Sequence, residues 1–221
     1  MAEGTYREGI RAILPLMPAI VAFGASFGVL ARAAGVDSLA ALVMSATTFA
    51  GSAQFAAASV LESGGALAAA ITAAVLLNLR YLAIGISVSP VLRGSAPRRL
   101  VEAQLAIDES WAVAQRGGRI DRGLLLGAGA VLVVAWTGGT VAGVLAGSAL
   151  GDPADFGLDA MFPSLFLALL VSQLDGRRAR AAALIGGLVA LALTPVVPPG
   201  LPIVAAALGA VFAVTVREVR S

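Results

Sequence analysis

The stretch Gly123–Gly151, GLLLGAGAVLVVAWTGGTVAGVLAGSALG, contains no charged residue. A helix rises about 1.5 Å per residue, and about 20 apolar residues cross the roughly 30 Å hydrocarbon core of a bilayer. The stretch is therefore long enough to span a membrane as one helix. Arg119 and Arg122 precede it and Asp152 and Asp155 follow it, so its two ends differ in charge.

The composition of the whole chain is typical of a membrane protein. Of 221 residues, 59% are hydrophobic and 13% are charged, whereas soluble domains average about 45–50% and about 25%. The mean hydropathy is +0.93. These values exclude a disordered chain. The absence of cysteine excludes a disulfide scaffold.

Several residue types that enzymes and metal sites use are absent. The chain has no histidine and no cysteine, and all 15 basic residues are arginines. It therefore lacks the usual zinc and haem ligands, the thiol nucleophile, the imidazole base and the Schiff-base lysine. We expect no metal and no cofactor, and an enzyme is the class that this composition favours least. The arginines lie beside apolar runs, which indicates orientation in a membrane rather than nucleic-acid binding.

Further uncharged runs divide the chain into membrane segments. We predict an all-α, polytopic integral membrane protein with about six to eight membrane helices, including broken or re-entrant segments. Residues 1–221 would form a single membrane transport domain. The predicted membrane segments are 12–31, 38–61, 63–92, 123–151, 160–174, 181–197 and 200–216.

Residues 99–115 differ from these segments because they contain acidic side chains. Glu102, Asp108 and Glu109 would each cost about 2.5–3.5 kcal/mol at the bilayer centre. In a helix, Leu100 and Trp111 share an apolar stripe, and Glu102 and Glu109 lie on another face. We predict an amphipathic helix at the membrane interface; a crossing by this segment is the alternative.

The arginines orient the chain, because they concentrate in cytoplasmic loops. We expect a multi-pass protein of the cytoplasmic (inner) membrane with both termini in the cytoplasm. Three full crossings before Arg93 would put that residue outside, and one economical solution is that an early segment is broken or re-entrant. The candidate is 38–61, because it contains the sequence TTFAGSAQF at 47–55. An outside N-terminus, or a crossing by 99–115, would also solve the problem.

Glycines recur at helical spacing in two predicted segments. Gly139, Gly143, Gly147 and Gly151 form one series, and Gly24 and Gly28 form a shorter one. Small residues at this spacing let helices approach closely in a membrane. We predict that both series pack within one chain; contact with another chain, as in a homo-oligomer, is the alternative.

Polar residues within apolar runs are candidates for function, because lipid tolerates few of them. Gly51, Ser52 and Gln54 form the first group. An unwound helix at Gly51 would expose backbone groups and a helix N-terminus, which could hold a carboxylate. The alternative is that Ser52 bonds back to its own helix while Gln54 bridges two helices.

The second group is Asn78, Arg80 and Tyr81. Arg80 stays charged in any protein environment, so it has to reach an interface or pair inside the protein. Its predicted partner is Asp108. An interfacial Arg80 without a substrate role is the alternative. A third group, Trp136–Thr140, could form a second broken helix.

Four motifs in order resemble the AzlC family. They are FG at 23–24 and 27–28, FAGSAQF at 49–55, NLRY at 78–81 and DES at 108–110. The resemblance covers nearly the whole chain and is strongest over residues 6–116. The family comprises large subunits of branched-chain amino acid permeases, which export with a small membrane partner of the AzlD type. The family often has histidine where Tyr81 stands, so a proton relay through imidazole is absent here.

The resemblance implies export of valine-like amino acids, and the residues suggest how. A zwitterionic amino acid needs donors for its carboxylate, acceptors for its ammonium and an apolar pocket. The carboxylate would bind Arg80 or the backbone near Gly51. The ammonium would bind Gln54, Asn78 or Asp108.

We therefore predict a secondary transporter subunit that exports branched-chain or similar aliphatic amino acids with an AzlD-type partner. Asp108 or Glu109 would carry the coupling proton, because a buried carboxyl group titrates closer to neutral pH. The alternatives are a channel for a small solute or ion, and a membrane scaffold that transports nothing.

Overall fold

The computed structural model describes residues 5–149 and 176–197, and also residues 167, 170–171, 174, 201–202 and 205–206. The predicted segments 160–174 and 200–216 lie largely outside the described residues, as do Asp152 and Asp155. Within the described part the chain is mostly helical, which confirms the all-α class. The helices are α1 (Tyr6–Ile13), α2 (Met17–Ala33), α3 (Ser38–Thr47), α4 (Gly51–Glu62), α5 (Leu67–Asn78), α6 (Arg80–Val88), α7 (Ala96–Gln104), α8 (Asp108–Ala114), α9 (Arg122–Ala149) and α10 (Gly176–Leu193).

Two stretches of the described chain are long and apolar enough to cross a membrane. One is Tyr6–Ala33, with 28 residues, and the other is Arg122–Gly147, with 26 residues; their apolar 18-residue windows have mean hydropathies of 2.0 and 1.9. Helices α5 and α6 form a third candidate if they count as one span, although they are bent by 42° at Leu79. At about 1.5 Å per residue, the first two candidates are longer than the hydrocarbon core is thick.

The first span begins earlier than the predicted segment 12–31. Thr5 and Glu8 form a capping box at the start of α1: the Thr5 hydroxyl accepts from the Glu8 N–H and the Glu8 carboxylate accepts from the Thr5 N–H, both at 3.2 Å. A short 3₁₀ turn, Leu14–Leu16, joins α1 to α2. The chain continues from α8 to α9 through a small hairpin of two antiparallel strands, β1 (Gln115–Arg116) and β2 (Arg119–Ile120).

Helices α2 and α9 make the most extensive helix contact in the described part of the chain. Gly24 and Gly28 of α2 lie against the backbone of α9, and Gly139 and Gly143 of α9 lie against the backbone of α2. A Cβ atom at any of these four positions would collide with a backbone oxygen of the neighbouring helix. The prediction that the glycines pack helices within one chain is confirmed for these four residues.

We expect Gly143→Val to prevent the close packing of α2 on α9. The added Cβ would overlap the backbone carbonyl of Ala25, and overpacking of this kind costs about 1–3 kcal/mol or more. Gly138→Val is the matched control, because a Cβ at Gly138 meets nothing within 4 Å. Thermal unfolding in detergent should show a large loss for the first variant only. Equal midpoints for the two variants would contradict this packing.

The segment 38–61 is broken, at the position that its sequence suggested. Helix α3 ends at Thr47 and α4 begins at Gly51. Between them Phe49 has a φ of 42°, which residues other than glycine rarely adopt. Gln104 of α7 donates a hydrogen bond to the carbonyl oxygen of Thr47. The longer of the two helices has 12 residues and is about 18 Å long, so neither helix crosses a bilayer alone.

The prediction of one amphipathic helix over residues 99–115 is wrong. Helix α7 ends at Gln104 and α8 begins at Asp108. Between them Ser110 Oγ accepts from the Ile107 N–H at 3.0 Å and donates to the Leu105 carbonyl oxygen at 2.6 Å, which fixes a new helix start.

The acidic side of this segment is buried at Glu102. Leu100 is 72% exposed, whereas Glu102 is 6% exposed. Arg98 of the same helix, the Arg93 N–H and Arg122 of α9 bond the Glu102 carboxylate, and these bonds make its burial favourable. Helix α9 runs continuously through Trp136–Thr140, so the predicted possibility of a second broken helix there is wrong too.

Candidate functional site

Four polar side chains meet near the starts of α4, α6 and α8. Arg80 Nη2 lies 2.9 Å from Asp108 Oδ2 and donates a hydrogen bond of 2.9 Å to Ser52 Oγ. The Tyr81 hydroxyl donates to the same Asp108 oxygen at 3.4 Å. The guanidinium carbon of Arg80 lies 5.2 Å from the centre of the Tyr81 ring. We call these four residues the Arg80 cluster.

The ion pair of the Arg80 cluster is accessible. The side chains of Arg80 and Asp108 are 41% and 43% exposed. An ion pair with this exposure contributes only about 0–1 kcal/mol to stability. A ligand that carries both charges can therefore replace it at little cost, with its anionic group on Arg80 and its cationic group on Asp108.

Helix α4 begins beside the Arg80 cluster without a side-chain cap. Its preceding residue is Ala50, which provides no capping hydrogen bond. The first N–H groups of a helix lack intrahelical acceptors and carry partial positive charge. Ser52, the second residue of α4, accepts the bond from Arg80. Two sources of positive charge, the guanidinium and the helix start, are therefore adjacent.

Gln54 lies in a buried network instead of the Arg80 cluster. Its Nε2 donates to Ser45 Oγ at 3.0 Å, and its Oε1 accepts from the Ala50 N–H at 3.2 Å. Ser45 Oγ lies 2.9 Å from Thr140 Oγ1. Ser45, Gln54 and Thr140 are fully buried, and together they join α3, α4 and α9 around the break. Gln54 thus bridges helices, whereas the bond of Ser52 reaches Arg80 on another helix.

The remaining predicted site residues are next to the Arg80 cluster in sequence. Asn78 is the last residue of α5, and its Oδ1 is buried without a hydrogen-bond partner among the described residues. Glu109 follows Asp108 in α8, and burial raises the pKa of its carboxyl group. Asn78 thus offers an acceptor, and Glu109 offers a carboxyl group that binds a proton more readily than usual.

Sequence reasoning missed a second group, around Glu102. The Glu102 carboxylate accepts from Arg122 Nε at 3.1 Å and from Arg122 Nη2. It also accepts from Arg98 Nε at 3.1 Å and from the Arg93 N–H at 3.2 Å. Arg122 Nη1 donates to the Tyr6 hydroxyl at 3.1 Å, so the group ties α7 to α9 and α1. The sequence feature that could have revealed this group is Glu102 itself, a carboxylate that closely follows several arginines.

Folding stability is expected to fall at low pH because of Glu102. Hydrogen bonds from Arg122, opposed by burial and assisted by Arg93 and Arg98, lower the pKa of Glu102 from 4.5 to about 2. A lowered folded-state pKa adds stability above the unfolded-state value, and this stability is lost as the pH falls toward the folded-state value. The thermal midpoint should therefore decrease from about pH 4.5 to about pH 2. Glu102→Gln should lack this component; an unchanged pH profile in that variant would contradict it.

Comparisons with known proteins agree on one family. The family model described as AzlC protein matches residues 15–150. A relative from Archaeoglobus fulgidus, named as an uncharacterized membrane protein, is 36% identical over 92% of this chain and 91% of its own length. Inner membrane protein YgaZ of Escherichia coli is 27% identical over 86% of this chain and 83% of its own. The branched-chain amino acid transport protein AzlC of Bacillus subtilis is 25% identical over 76% of this chain and 67% of its own length. No solved structure matches.

Proposed function

Because this chain belongs to the AzlC family of membrane proteins, we propose that it is the substrate-binding subunit of a secondary transporter. Its substrates would be branched-chain or similar aliphatic amino acids, exported across the cytoplasmic membrane. The family is associated with transport, and one relative is named as a branched-chain amino acid transport protein. The matched residues 15–150 include the whole Arg80 cluster.

The observation that carries the proposal is an accessible ion pair beside the start of a broken helix. Arg80 and the first N–H groups of α4 would hold the substrate carboxylate. Asp108 would then release Arg80 and accept the substrate ammonium, with Asn78 Oδ1 as a further acceptor. Broken helices with exposed ends hold charged substrate groups in many secondary transporters.

Selectivity among aliphatic substrates is expected to be broad. One methylene group in an apolar pocket changes binding by about 1–3 kcal/mol, or about 10–200-fold. Valine, isoleucine and leucine should therefore compete with one another, whereas aspartate and lysine would bring a second charge into an apolar environment.

We propose Glu109 as the carrier of the coupling proton, with Asp108 as the alternative. Burial raises the pKa of Glu109, whereas Asp108 is held by Arg80 and Tyr81. An imposed pH gradient should change the rate of export by the native protein, and Glu109→Gln should remove this effect. If native flux is independent of pH, and Glu109→Gln and Asp108→Asn are both fully active, this role is excluded.

The membrane arrangement is part of the proposal. It has about six to eight membrane segments, cytoplasmic termini and a small AzlD-type partner subunit. Single cysteines introduced into this naturally cysteine-free chain test the orientation by labelling from each side. A cysteine beside Arg93 should react from the cytoplasmic side, and labelling of it from outside would contradict the arrangement. The mass of the purified protein tests the alternative of a homo-oligomer.

The export activity can be measured in cells that carry the chain and are loaded with labelled valine. Cells that produce the native protein should lose valine faster than cells with an empty vector, and external protonophore should reduce the difference. An equal rate of loss in both cell types, with the protein present in the membrane, would contradict the proposed function.

A further inference from the structure

The two long membrane-span candidates run in the same direction and begin at the same end of the molecule. The Tyr6 hydroxyl, at the start of the first span, accepts a hydrogen bond of 3.1 Å from Arg122 Nη1, at the start of the second. Further along both spans, Gly143 lies against the backbone of Ala25. One end of the described structure therefore contains both span starts.

Three further segments meet at this end. The buried Glu102 of α7 pairs with Arg122 at the start of α9. Glu8 of α1 lies 3.8 Å from Arg116 of the hairpin. Helix α1, helix α7 with the loop before it, and the hairpin are therefore grouped around the two span starts.

These segments are strongly basic. Residues 5–13, 93–104 and 115–122 contain eight arginines and three carboxylates. Ion pairs and hydrogen bonds within the protein already engage the three carboxylates. Four exposed arginines of these segments form no ion pair with a carboxylate in the described part of the chain, namely Arg7, Arg11, Arg99 and Arg119. An excess of exposed positive charge therefore remains at this end.

Helix α7 adds exposed apolar side chains to the basic end. Leu100 and Val101 are 72% and 67% exposed, and they lie on the side of α7 away from the buried Glu102. The Arg98 side chain is 62% exposed although it bonds Glu102, and Arg99 is exposed as well. We call the four exposed residues the α7 surface.

The composition of the α7 surface matches the headgroup region of a bilayer. Exposed apolar residues beside basic ones are typical of a helix that lies at the membrane surface. There, apolar side chains reach the acyl chains, and guanidinium groups bind the phosphates of the headgroups. The proposed arrangement places the arginine-rich loops in the cytoplasm, where the leaflet contains anionic lipids that attract basic segments. Charge complementarity therefore favours an anionic lipid as the occupant.

We propose that the α7 surface binds anionic phospholipids of the surrounding bilayer. Arg98 and Arg99 bind the headgroup phosphates, while Leu100 and Val101 contact the upper part of the acyl chains. One arginine near an anionic membrane surface strengthens the attraction about fivefold, so the lipids beside α7 are enriched in anionic species. The interaction is independent of the cargo, and it holds equally for a membrane protein that transports nothing.

Quenching by brominated lipids shows which lipids lie beside α7. Val101→Cys gives this naturally cysteine-free chain a single cysteine, and bromine on neighbouring acyl chains quenches a fluorophore attached to it. The labelled protein is reconstituted in vesicles that contain a small fraction of brominated phosphatidylglycerol or of brominated phosphatidylcholine. We expect phosphatidylglycerol to be enriched about fivefold or more beside position 101. High salt should reduce the enrichment, because it screens the charges.

Leu39→Cys is the matched control for an exposed apolar position. Leu39 is 69% exposed, and its N–H donates to Asp37 Oδ1 at 2.8 Å, so it lies beside a carboxylate at the start of α3. A fluorophore at position 39 should be quenched equally by the two lipids. A preference for phosphatidylglycerol that is as large at position 39 as at position 101 would contradict a specific role of α7.

Charge variants separate the α7 surface from the general charge of the basic end. With the label at position 101, Arg99→Gln should reduce the enrichment about fivefold. Arg119→Gln removes the same charge from the hairpin and should reduce it less. Both arginines are exposed, so both variants should unfold at the native temperature.

Equal losses of enrichment in Arg99→Gln and Arg119→Gln, or equal quenching by the two lipids at position 101, would overturn the proposal. Quenching by neither lipid at position 101 would overturn it as well, because water, a second copy of the chain or another protein would then cover α7. None of these results would affect the proposed transport function, which is measured with amino acid substrates.

Discussion

Arg80→Ala is expected to reduce valine transport on the order of 30-fold or more, while the protein still inserts into the membrane. Arg80 lies at the start of α4, where it donates a hydrogen bond to Ser52. Removal of one partner from a charged hydrogen-bonded pair in a binding site costs about 2–5 kcal/mol, and 1.4 kcal/mol is tenfold. The ion pair with Asp108 is accessible, so its loss should affect stability far less than transport.

Two further variants show whether Arg80 acts through its charge or its shape. Arg80→Lys retains the charge but loses the planar fork that binds a carboxylate at two points, so we expect intermediate transport. Arg119→Ala removes an exposed arginine of the hairpin and should leave transport unchanged. Native initial rates in Arg80→Ala vesicles, at equal protein content, would contradict a substrate role for Arg80.

Glu102→Ala is expected to cost about 3–5 kcal/mol of folding stability. It removes the carboxylate that pairs with Arg122, whose side chain is 16% exposed. Breaking a buried ion pair leaves the other charge without compensation in a medium of low polarity. Because Glu102 also joins α7 to α1 through Arg122 and Tyr6, the loss should appear as cooperative unfolding at lower denaturant.

The control for Glu102 is a pair on the surface of the same part of the molecule. Glu8 and Arg116 lie 3.8 Å apart with side chains that are 51% and 50% exposed, so Glu8→Ala should cost about 0–1 kcal/mol. The double variant Glu102→Leu, Arg122→Leu should recover part of the loss, since it leaves no unpaired Arg122. Similar denaturant midpoints for Glu102→Ala and Glu8→Ala would contradict a structural role for the buried pair.

The features that followed from the sequence are those with a strong physical constraint of their own. Uncharged runs of membrane-spanning length predict helices, because a backbone in lipid has to satisfy its own hydrogen bonds. Arginine does not become neutral, so Arg80 needed a partner, and the structure pairs it with Asp108. Glycine and polar residues within 47–55 predicted the break that separates α3 from α4.

The features that were missed depend on residues that are distant in the sequence. Helical periodicity assigned Glu102 to a polar face, and its ion pair with the distant Arg122 on α9 helps to make its burial favourable. Gln54 is a polar residue in an apolar run, so the sequence predicted it as a substrate ligand. In the structure its Oε1 and Nε2 are both engaged in hydrogen bonds, with the Ala50 N–H and Ser45 Oγ. Trp136 Nε1 is buried without a hydrogen-bond partner in the described part of the chain, and the local sequence does not indicate this.

Counterflow in proteoliposomes tests the central claim, carriage of aliphatic amino acids by this chain, most directly. The protein is reconstituted with any membrane subunit that copurifies with it, and the vesicles are preloaded with unlabelled valine. Labelled external valine should then accumulate transiently and saturably, and isoleucine should compete. Accumulation equal to that of protein-free vesicles, or entry that rises linearly with concentration as through a channel, would contradict the claim.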